Sequence, residues 1–224
     1  MRLAVWDVDG TLVDSRATIF DCCTQAMLKV GLPAPSYDEV RKIVGLSLEH
    51  ALSVLAPDLG PAKVEQAAYF YKQRFGEYRA KPDFFEALYE GAAETLARLK
   101  AEGWRMAIAT GKSRAGVRTI VAMHGWEDLF HSTHCADDGP GKPHPAMLLE
   151  AMRACGATAD QTVMIGDTTH DVTMARAAGV RAFGVTWGFN TAPELRSAGA
   201  HHVADDFSSL NKALDEFSSL VATA

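Results

Sequence analysis

The first fourteen residues, Met1-Arg-Leu-Ala-Val-Trp-Asp-Val-Asp-Gly-Thr-Leu-Val-Asp14, limit what this chain can fold into more than any other stretch. Leu3 to Val8 is a short apolar run that reads as a buried strand, and it ends by delivering Asp7 and Asp9. Buried strands do not carry carboxylates unless these are paired or bind a metal. If the strand ends at Val8, Gly10-Thr11 can turn the chain so that Asp9 swings back beside Asp7. An acidic loop after a strand is the plain reading of a bare Asp-x-Asp. The longer string Asp-x-Asp-Gly-Thr-Leu-x-Asp at the end of a first strand asks for chemistry.

From Asp14 onward the pattern changes from strand to helix. Ser15 is placed to cap a helix in which Ile19, Cys23, Ala26, Met27 and Val30 fall at helical spacing, and Gly31 with Pro33 stops it. A second helix is expected over Tyr37 to Val44, broken by Gly45, and a third from Ser47 to Leu55. Pro61 opens a long helix through Tyr78 with Val64, Ala68, Tyr71, Phe75 and Tyr78 inward. The aromatics of this helix, Tyr69 and Phe70 included, read as the core of the helical segment. No strand signal occurs over 15–83, which is read as an all-helical insertion leaving near Lys81-Pro82.

After the insertion, strands and helices alternate. Strands are expected over Arg105–Thr110, His131–Ala136, Thr162–Ile165, Arg181–Thr186 and His202–Ala204. Helices are expected over Gly91–Leu99, from Ser113 to His124, from Pro143 or His144 to Cys155, from Thr168 or Thr169 to Ala178, and over Ser208–Val221. Alternation of this kind implies a doubly wound parallel α/β sheet, a Rossmann-like core, with helices on both faces. The expected division is an α/β core of 1–14 and 84–224 and a helical insertion of 15–83.

Composition narrows the function. With 224 residues, 48% of them hydrophobic, the chain can bury one sizeable core plus a small accessory domain. A net charge of −6 without a basic run argues against a nucleic-acid surface or an anionic membrane as partner. No apolar stretch approaches the roughly 18–20 residues that span a bilayer, and Asp7 and Asp9 interrupt the only apolar run near the start, against a signal peptide. Cys22, Cys23, Cys135 and Cys155 have neither CxxC nor zinc-ligand spacing, so a reduced, cytoplasmic protein is expected, with its adjacent pair packing as small apolar residues.

Asp7, Asp9, Thr110, Lys142 and Asp167 all fall at the carboxyl ends of expected strands or just beyond them, the edge where open parallel sheets bind ligands. Three carboxylates meeting there repel unless a cation sits among them, and carboxylate oxygens with waters suit Mg²⁺. A hydroxyl and an ammonium beside such a metal supply what a phosphoryl group needs, neutralisation and donors for its oxygens. No Walker A loop and no GxGxxG after the first strand are present, which disfavours nucleotide triphosphates and dinucleotides.

These motifs, Asp7-Val-Asp9-Gly-Thr-Leu-Val-Asp14-Ser15, Ala-Thr110-Gly111-Lys112, Gly-Lys142-Pro143 and Ile-Gly166-Asp167-Thr-Thr-His-Asp171, resemble the four ordered motifs of the haloacid dehalogenase superfamily. The insertion after the first motif is similar to that superfamily's small helical cap. Gly-Lys142-Pro-x-Pro, the run from Gly166 through Asp171 to Gly179, and Trp187-Gly-Phe further resemble its phosphoglycolate phosphatase group. Trp6 stands where the family usually has Phe, a difference of packing.

The resemblance implies roles. Asp7 is the expected nucleophile, forming an aspartyl-phosphate. Asp9 is the expected acid and base, and its presence argues against a dehalogenase. Thr110, with the amides around Gly10 and Gly111, would hold phosphoryl oxygens, and Lys112 is equally a candidate phosphate contact or a solvated residue. Lys142 would neutralise the phosphoryl and orient Asp7. Asp7, Asp167 and the backbone carbonyl of Asp9 would hold Mg²⁺, with Asp171 in support one helical turn after Asp167. Gly45-Leu46-Ser47 corresponds to the family's specificity loop, so Gly45 and Ser47 are expected at the substrate, joined by one cation among Arg41, Lys42, His50 and Arg74.

The implied partner is a small phosphorylated metabolite, 2-phosphoglycolate foremost. Inorganic pyrophosphatase, sugar-phosphate phosphatase and phosphomutase are the alternatives within the superfamily. A phospho-accepting receiver domain is the rival from another class. It would carry its acceptor on a middle strand in about 120 residues, without an insertion.

Overall fold

The apolar run at the start of the chain forms β1 (Leu3–Trp6), and it lies inside a six-stranded sheet with neighbours on both sides. The computed structural model describes residues 1–223. The other strands are β2 (Arg105–Ala109), β3 (Ser132–His134), β4 (Thr162–Gly166), β5 (Arg181–Val185) and β6 (His202–Ala204), all parallel in the order β3-β2-β1-β4-β5-β6. Trp6 stands opposite Ile108 on one side and Ile165 on the other, so β1, β2 and β4 end level. Their order reverses between β1 and β4. In a sheet of this kind that reversal opens a crevice at the carboxyl edge.

Alternate residues of each strand face opposite layers. Ala4, Trp6, Met106, Ile108, Phe183 and Val185 pack under helices α5 (Ala92–Ala101), α6 (Arg114–His124) and α10 (Phe207–Thr223). Leu3, Val5, Ala107, Met164 and Ala182 pack under α7 (Ala146–Cys155), α8 (Thr169–Ala177) and α9 (Ala192–Ser197). Burial on both faces is why these strands read as continuous apolar runs. The fold is the Rossmann-like α/β sheet that the alternation implied.

Four further helices, α1 (Arg16–Lys29), α2 (Tyr37–Arg41), α3 (Leu48–Leu55) and α4 (Pro61–Arg79), lie between β1 and α5. The chain leaves and re-enters the sheet side by side, with Val13 bridged antiparallel to Leu88 and the Asp14 amide donating to the Ala87 carbonyl. The four helices have their own apolar clusters, one around Met27, Leu52 and Ala67, the other around Ile19, Val40, Val44 and Leu46. Phe189, from the loop after β5, inserts into the second and ties the helices to the sheet. All four cysteines are free and buried, and burial pushes the Cys22 and Cys23 thiols up to about 12, so these two behave as small apolar residues. Among the described residues no helix is long and apolar enough to cross a membrane.

The structure departs from the sequence reading at several points. Ser15 precedes α1, but its hydroxyl makes no capping bond and is buried without a partner. α2 stops at Arg41, and α7 starts at Ala146 because residues 141–145 form a turn closed by the His144 amide on the Gly141 carbonyl. α9 went unforeseen; it is a short helix carried by a Thr191–Glu194 capping box with Pro193 in its first turn. Tyr69, expected in the helical core, is 61% exposed.

On the opposite side of the sheet from α7 and α8, Phe217 of α10 packs on Trp104 and edge-on to Phe183. Phe217→Ala should cost about 3–5 kcal/mol of unfolding free energy. Chemical denaturation would read that loss, and a loss under about 1 kcal/mol would mean that α10 adds little to this core.

Candidate active site

The first acid of the site is placed by backbone pairing alone. Asp7 follows β1 and its amide donates to the Ile165 carbonyl at 2.9 Å, so it sits beside the end of β4. Asp167 is the residue after β4. The two acids therefore meet where the strand order reverses, and both are almost fully buried.

Turns hold them there. After Val8 the chain curls, the amides of Thr11, Leu12 and Val13 all donating to the Val8 carbonyl, with Gly10 at φ +85° in the left-handed region. The curl brings the Thr11 hydroxyl to Asp167 Oδ1 at 2.7 Å, while the Phe189 amide donates to Asp167 Oδ2 at 2.8 Å. Side chains are excluded from this crossing. A Cβ on Gly10 would lie 2.4 Å from Asp167 Oδ2, and one on Gly188 would lie 2.2 Å from the same oxygen.

Asp171 enters from the first turn of α8 through a capping box with Thr168. Its Oδ2 accepts from the Thr168 amide and hydroxyl at 3.0 and 2.7 Å. Its Oδ1 is left facing Lys142, 2.6 Å from Nζ, and Lys142 Nζ lies 2.8 Å from Asp7 Oδ1. These are ion-pair contacts rather than well-angled hydrogen bonds, and the Lys142 side chain has no exposed surface. Burial opposes the lysine's charge, but Asp171 and Asp7 outweigh it and hold its pKa above the ordinary value.

Asp7, Asp167 and Asp171 each offer an oxygen within 4.8 Å of the others. One lysine does not balance three acids. Burial, ahead of every other cause, pushes Asp7 up to about 6 despite Lys142, and burial followed by the Asp7 charge raises Asp167 well above the carboxylate range. Asp7 Oδ2 is buried with no hydrogen-bond partner. A crowded oxygen set with an unsatisfied carboxylate oxygen fits a hard divalent cation.

The Asp9 carboxylate lies outside that group. Lys112 Nζ contacts Asp9 Oδ1 at 2.7 Å and Glu86 Oε1 at 3.1 Å, beneath the Phe75 ring. Lys112 is thus a buried bridge, neither solvated nor free for a ligand. Burial works against its charge, yet Asp9 and then Glu86 keep its pKa raised. Glu86 escaped the sequence reading because it lies in the return segment after α4, where no motif or periodicity marks it.

Thr110 is buried at the end of β2, its hydroxyl accepting weakly from the Lys112 amide. Residues 45–47 come down onto this edge: Gly45 is left-handed at φ +95°, and a Cβ on Gly111 would lie 2.6 Å from the Gly45 carbonyl. Between these parts is a cavity of about 220 Å³, with Asp7, Asp9, Thr110 and Lys112 on the sheet side and Gly45, Ser47, Tyr71 and Phe75 on the helical side. Tyr71 and Phe75 are therefore cavity wall as well as core.

Arg41, Lys42, His50 and Arg74 do not line the cavity. Arg41 pairs with Glu194 and Asp38, Lys42 with Asp38, and Arg74 with Asp21 and Glu77, while His50 is exposed. Lys72 and Arg79 of α4 line it instead. Helical phase decides this, since the cavity face of α4 carries 71, 72, 75 and 79.

Gly188 lies outside the left-handed region, and the Cβ of Gly188→Ala would press on the Asp167 carboxylate and on the Gly10 carbonyl beside it. Apparent divalent-cation affinity should fall about 10–100-fold, as for other changes just behind a metal ligand. Isothermal titration of Mg²⁺ or Mn²⁺ would measure it, and unchanged affinity would remove Asp167 from the cation site.

Comparison with known proteins agrees with this geometry. Residues 4–185 match the haloacid dehalogenase-like hydrolase family. Over 208 residues the chain is 36% identical to a Dickeya dadantii protein named probable phosphatase IndB, covering 92% of this chain and 90% of that one. Over 218 residues it is 30% identical to the phosphoglycolate phosphatase of Vibrio cholerae, covering 94% and 95%. The crystal structure of a hydrolase from Pseudomonas syringae superposes with a TM-score of 0.85 at 26% identity, over 96% of this chain and 99% of that one. With most of its length matching the family and nearly all of it aligned with proteins named as phosphatases, this chain belongs to the haloacid dehalogenase-like hydrolase family.

Proposed function

We propose that the chain is a Mg²⁺-dependent phosphomonoester hydrolase that works through an aspartyl-phosphate at Asp7, with 2-phosphoglycolate as its substrate. Residues 15–83 act as a cap over a catalytic core of 1–14 and 84–224, and the four reduced cysteines suit the cytoplasm. One observation carries the reading. Asp7 combines an oxygen held by Lys142 with a buried oxygen that has no partner, and it lines a cavity shared with Asp9 and Thr110.

The chemistry follows from those positions. Asp7 attacks phosphorus, the Asp7–phosphorus bond forming as the ester bond breaks, and the departing alkoxide takes its proton from Asp9. Water then attacks the aspartyl-phosphate, gives its proton to Asp9, and releases phosphate and the Asp7 carboxylate. Thr110 and the amides near Gly10 and Gly111 hold phosphoryl oxygens, and Lys142 offsets charge there. Lys112 fixes where the Asp9 carboxylate points. Asp7, Asp167 and the Asp9 carbonyl are the proposed Mg²⁺ ligands, with Asp171 beside them; the ion's positive charge would neutralise the crowded oxygens and favour phosphate in the cavity. The relatives named phosphoglycolate phosphatase support that substrate.

Phosphate release across 2-phosphoglycolate, sugar phosphates and pyrophosphate, with Mg²⁺, tests the substrate. A chain that prefers pyrophosphate or a sugar phosphate would displace phosphoglycolate. Chelation with EDTA should abolish turnover and Mg²⁺ should restore it, whereas excess Ca²⁺ should inhibit. Asp7→Asn should abolish activity, and Asp9→Asn should lower it roughly 10²–10⁴-fold; wild-type rates in either variant would overturn these roles.

The acids also predict a pH signature. Because the Asp7 pKa is raised from 3.8 to about 6 on folding, its contribution to metal-free stability is present below 3.8 and lost as pH rises through about 6. A cation relieves that loss only once the acid is ionised. Mg²⁺ should therefore raise the melting temperature more at pH 8 than at pH 5, and an equal shift at both would contradict this.

A further inference from the structure

Among the described residues, the cavity wall carries one cation without a carboxylate partner. Three basic residues line it: Lys72, Lys112 and Arg79. Lys72 pairs with Glu49 at 2.9 Å and is largely exposed, and Lys112 is held between Asp9 and Glu86. Arg79, at the last position of α4, has no ion pair among the described residues, and its Nε is buried without a hydrogen-bond partner.

Its position is nonetheless well defined. The guanidinium carbon lies 4.6 Å from the centre of the Phe75 ring, one turn earlier on α4, so the group stacks on an aromatic wall of the cavity. Nη2 reaches across to the first turn of α6, where it would lie 3.2 Å from a Cβ on Gly116. Arg79 thus spans the gap between the helical layer and the sheet at the cavity rim. Asp137, the carboxylate on the same rim, accepts from the Arg114 amide at 2.7 Å.

A guanidinium partly withdrawn from water and lacking an acceptor is costly unless something pairs with it. Its flat, stacked fork matches carboxylate or phosphate oxygens two at a time. We propose that Arg79 is the specificity residue of this site and reads a second anionic group, a carboxylate or a phosphate, on the alcohol side of the phosphomonoester. This deepens the phosphatase reading and rests on it. The sheet edge is common to every phosphomonoester, so discrimination falls to the α4 wall, and Arg79 is its unpaired charge.

The test compares wild type, Arg79→Met, which keeps the stem on Phe75, and Arg79→Lys, which keeps charge without the fork. Three Mg²⁺-supported substrates are used: 2-phosphoglycolate for a carboxylate, a sugar bisphosphate for a second phosphate, and p-nitrophenyl phosphate for neither. Arg79→Met should lower kcat/KM about 10–150-fold, mainly through KM, for at least one of the two substrates with a second anionic group. It should change p-nitrophenyl phosphate no more than about threefold, and Arg79→Lys should recover part of the loss. The substrate that suffers identifies the anion, and loss on either supports the proposal. Equal losses on all three, or no loss on any, would overturn it. If wild type turns over none of them, the phosphatase reading fails and Arg79 is judged on binding. Isothermal titration of phosphoglycolate against inorganic phosphate, with Mg²⁺ present, should then show tighter phosphoglycolate binding to wild type than to Arg79→Met; equal affinities would sink the inference.

Discussion

The site depends on a lysine ammonium with no exposed surface, wedged between Asp7 and Asp171. A buried ion pair of this kind contributes little net stability, because desolvation offsets most of the attraction. It contributes position. With Lys142 on one oxygen of Asp7, the carboxylate is oriented beside the cavity and its other oxygen is left without a partner. The capping box of α8 does the same for Asp171, spending one oxygen on Thr168 and leaving the other for Lys142. Local helix chemistry and the site are thus one network. A change at Thr168 would reach Asp7 through two side chains.

Glycines make that network compact. Gly10 and Gly188 flank Asp167 so closely that neither could carry a Cβ without moving the carboxylate. On the opposite side, Gly111 lets the backbone at 45–46 approach the end of β2. These close approaches bring a helical layer and a sheet edge to either side of a cavity of about 220 Å³. The polar chemistry lies almost wholly on the sheet side, and the helical side supplies aromatic and aliphatic wall with few charges. A division of labour follows physically. Continuous pairing holds the strand ends level, and the helices are joined to them by a pair of linkers, by Phe189 and by the Arg41–Glu194 ion pair.

Two lysines in neighbouring motifs illustrate how the same residue type acquires different work. Lys142 joins the acids at the strand-order reversal, while Lys112 is drawn to Asp9 and Glu86. In both, carboxylates overcome the burial that would otherwise discharge the amine. Lys112 links the loop after β1, the loop after β2 and the return segment from the helical layer, so the position of Asp9 is coupled to all three.

Much of this was legible in the sequence, because it rests on local rules. Apolar runs ending in Asp7, Thr110 and Asp167 marked strand ends, Ser113 and Thr168 marked helix starts, and Gly125 marked a helix stop; each is a matter of backbone propensity within a few residues. The parallel α/β sheet followed from alternation alone. What stayed hidden was decided by contacts between segments far apart in the chain. Glu86 meets Lys112 across 26 residues, Phe189 enters the helical layer from the loop after β5, and Arg41 is taken up by Glu194. Arg79 lay outside the cations expected at the substrate, Arg41, Lys42, His50 and Arg74, since any cation on a helix looks alike until helical phase and neighbouring carboxylates are known. Sequence by itself determined which strand ends carry acids and which helices intervene, because hydrogen-bonding pattern and apolar periodicity are local. Only the tertiary structure decided which charges are paired and which face the cavity, because pairing depends on distances that no local rule contains.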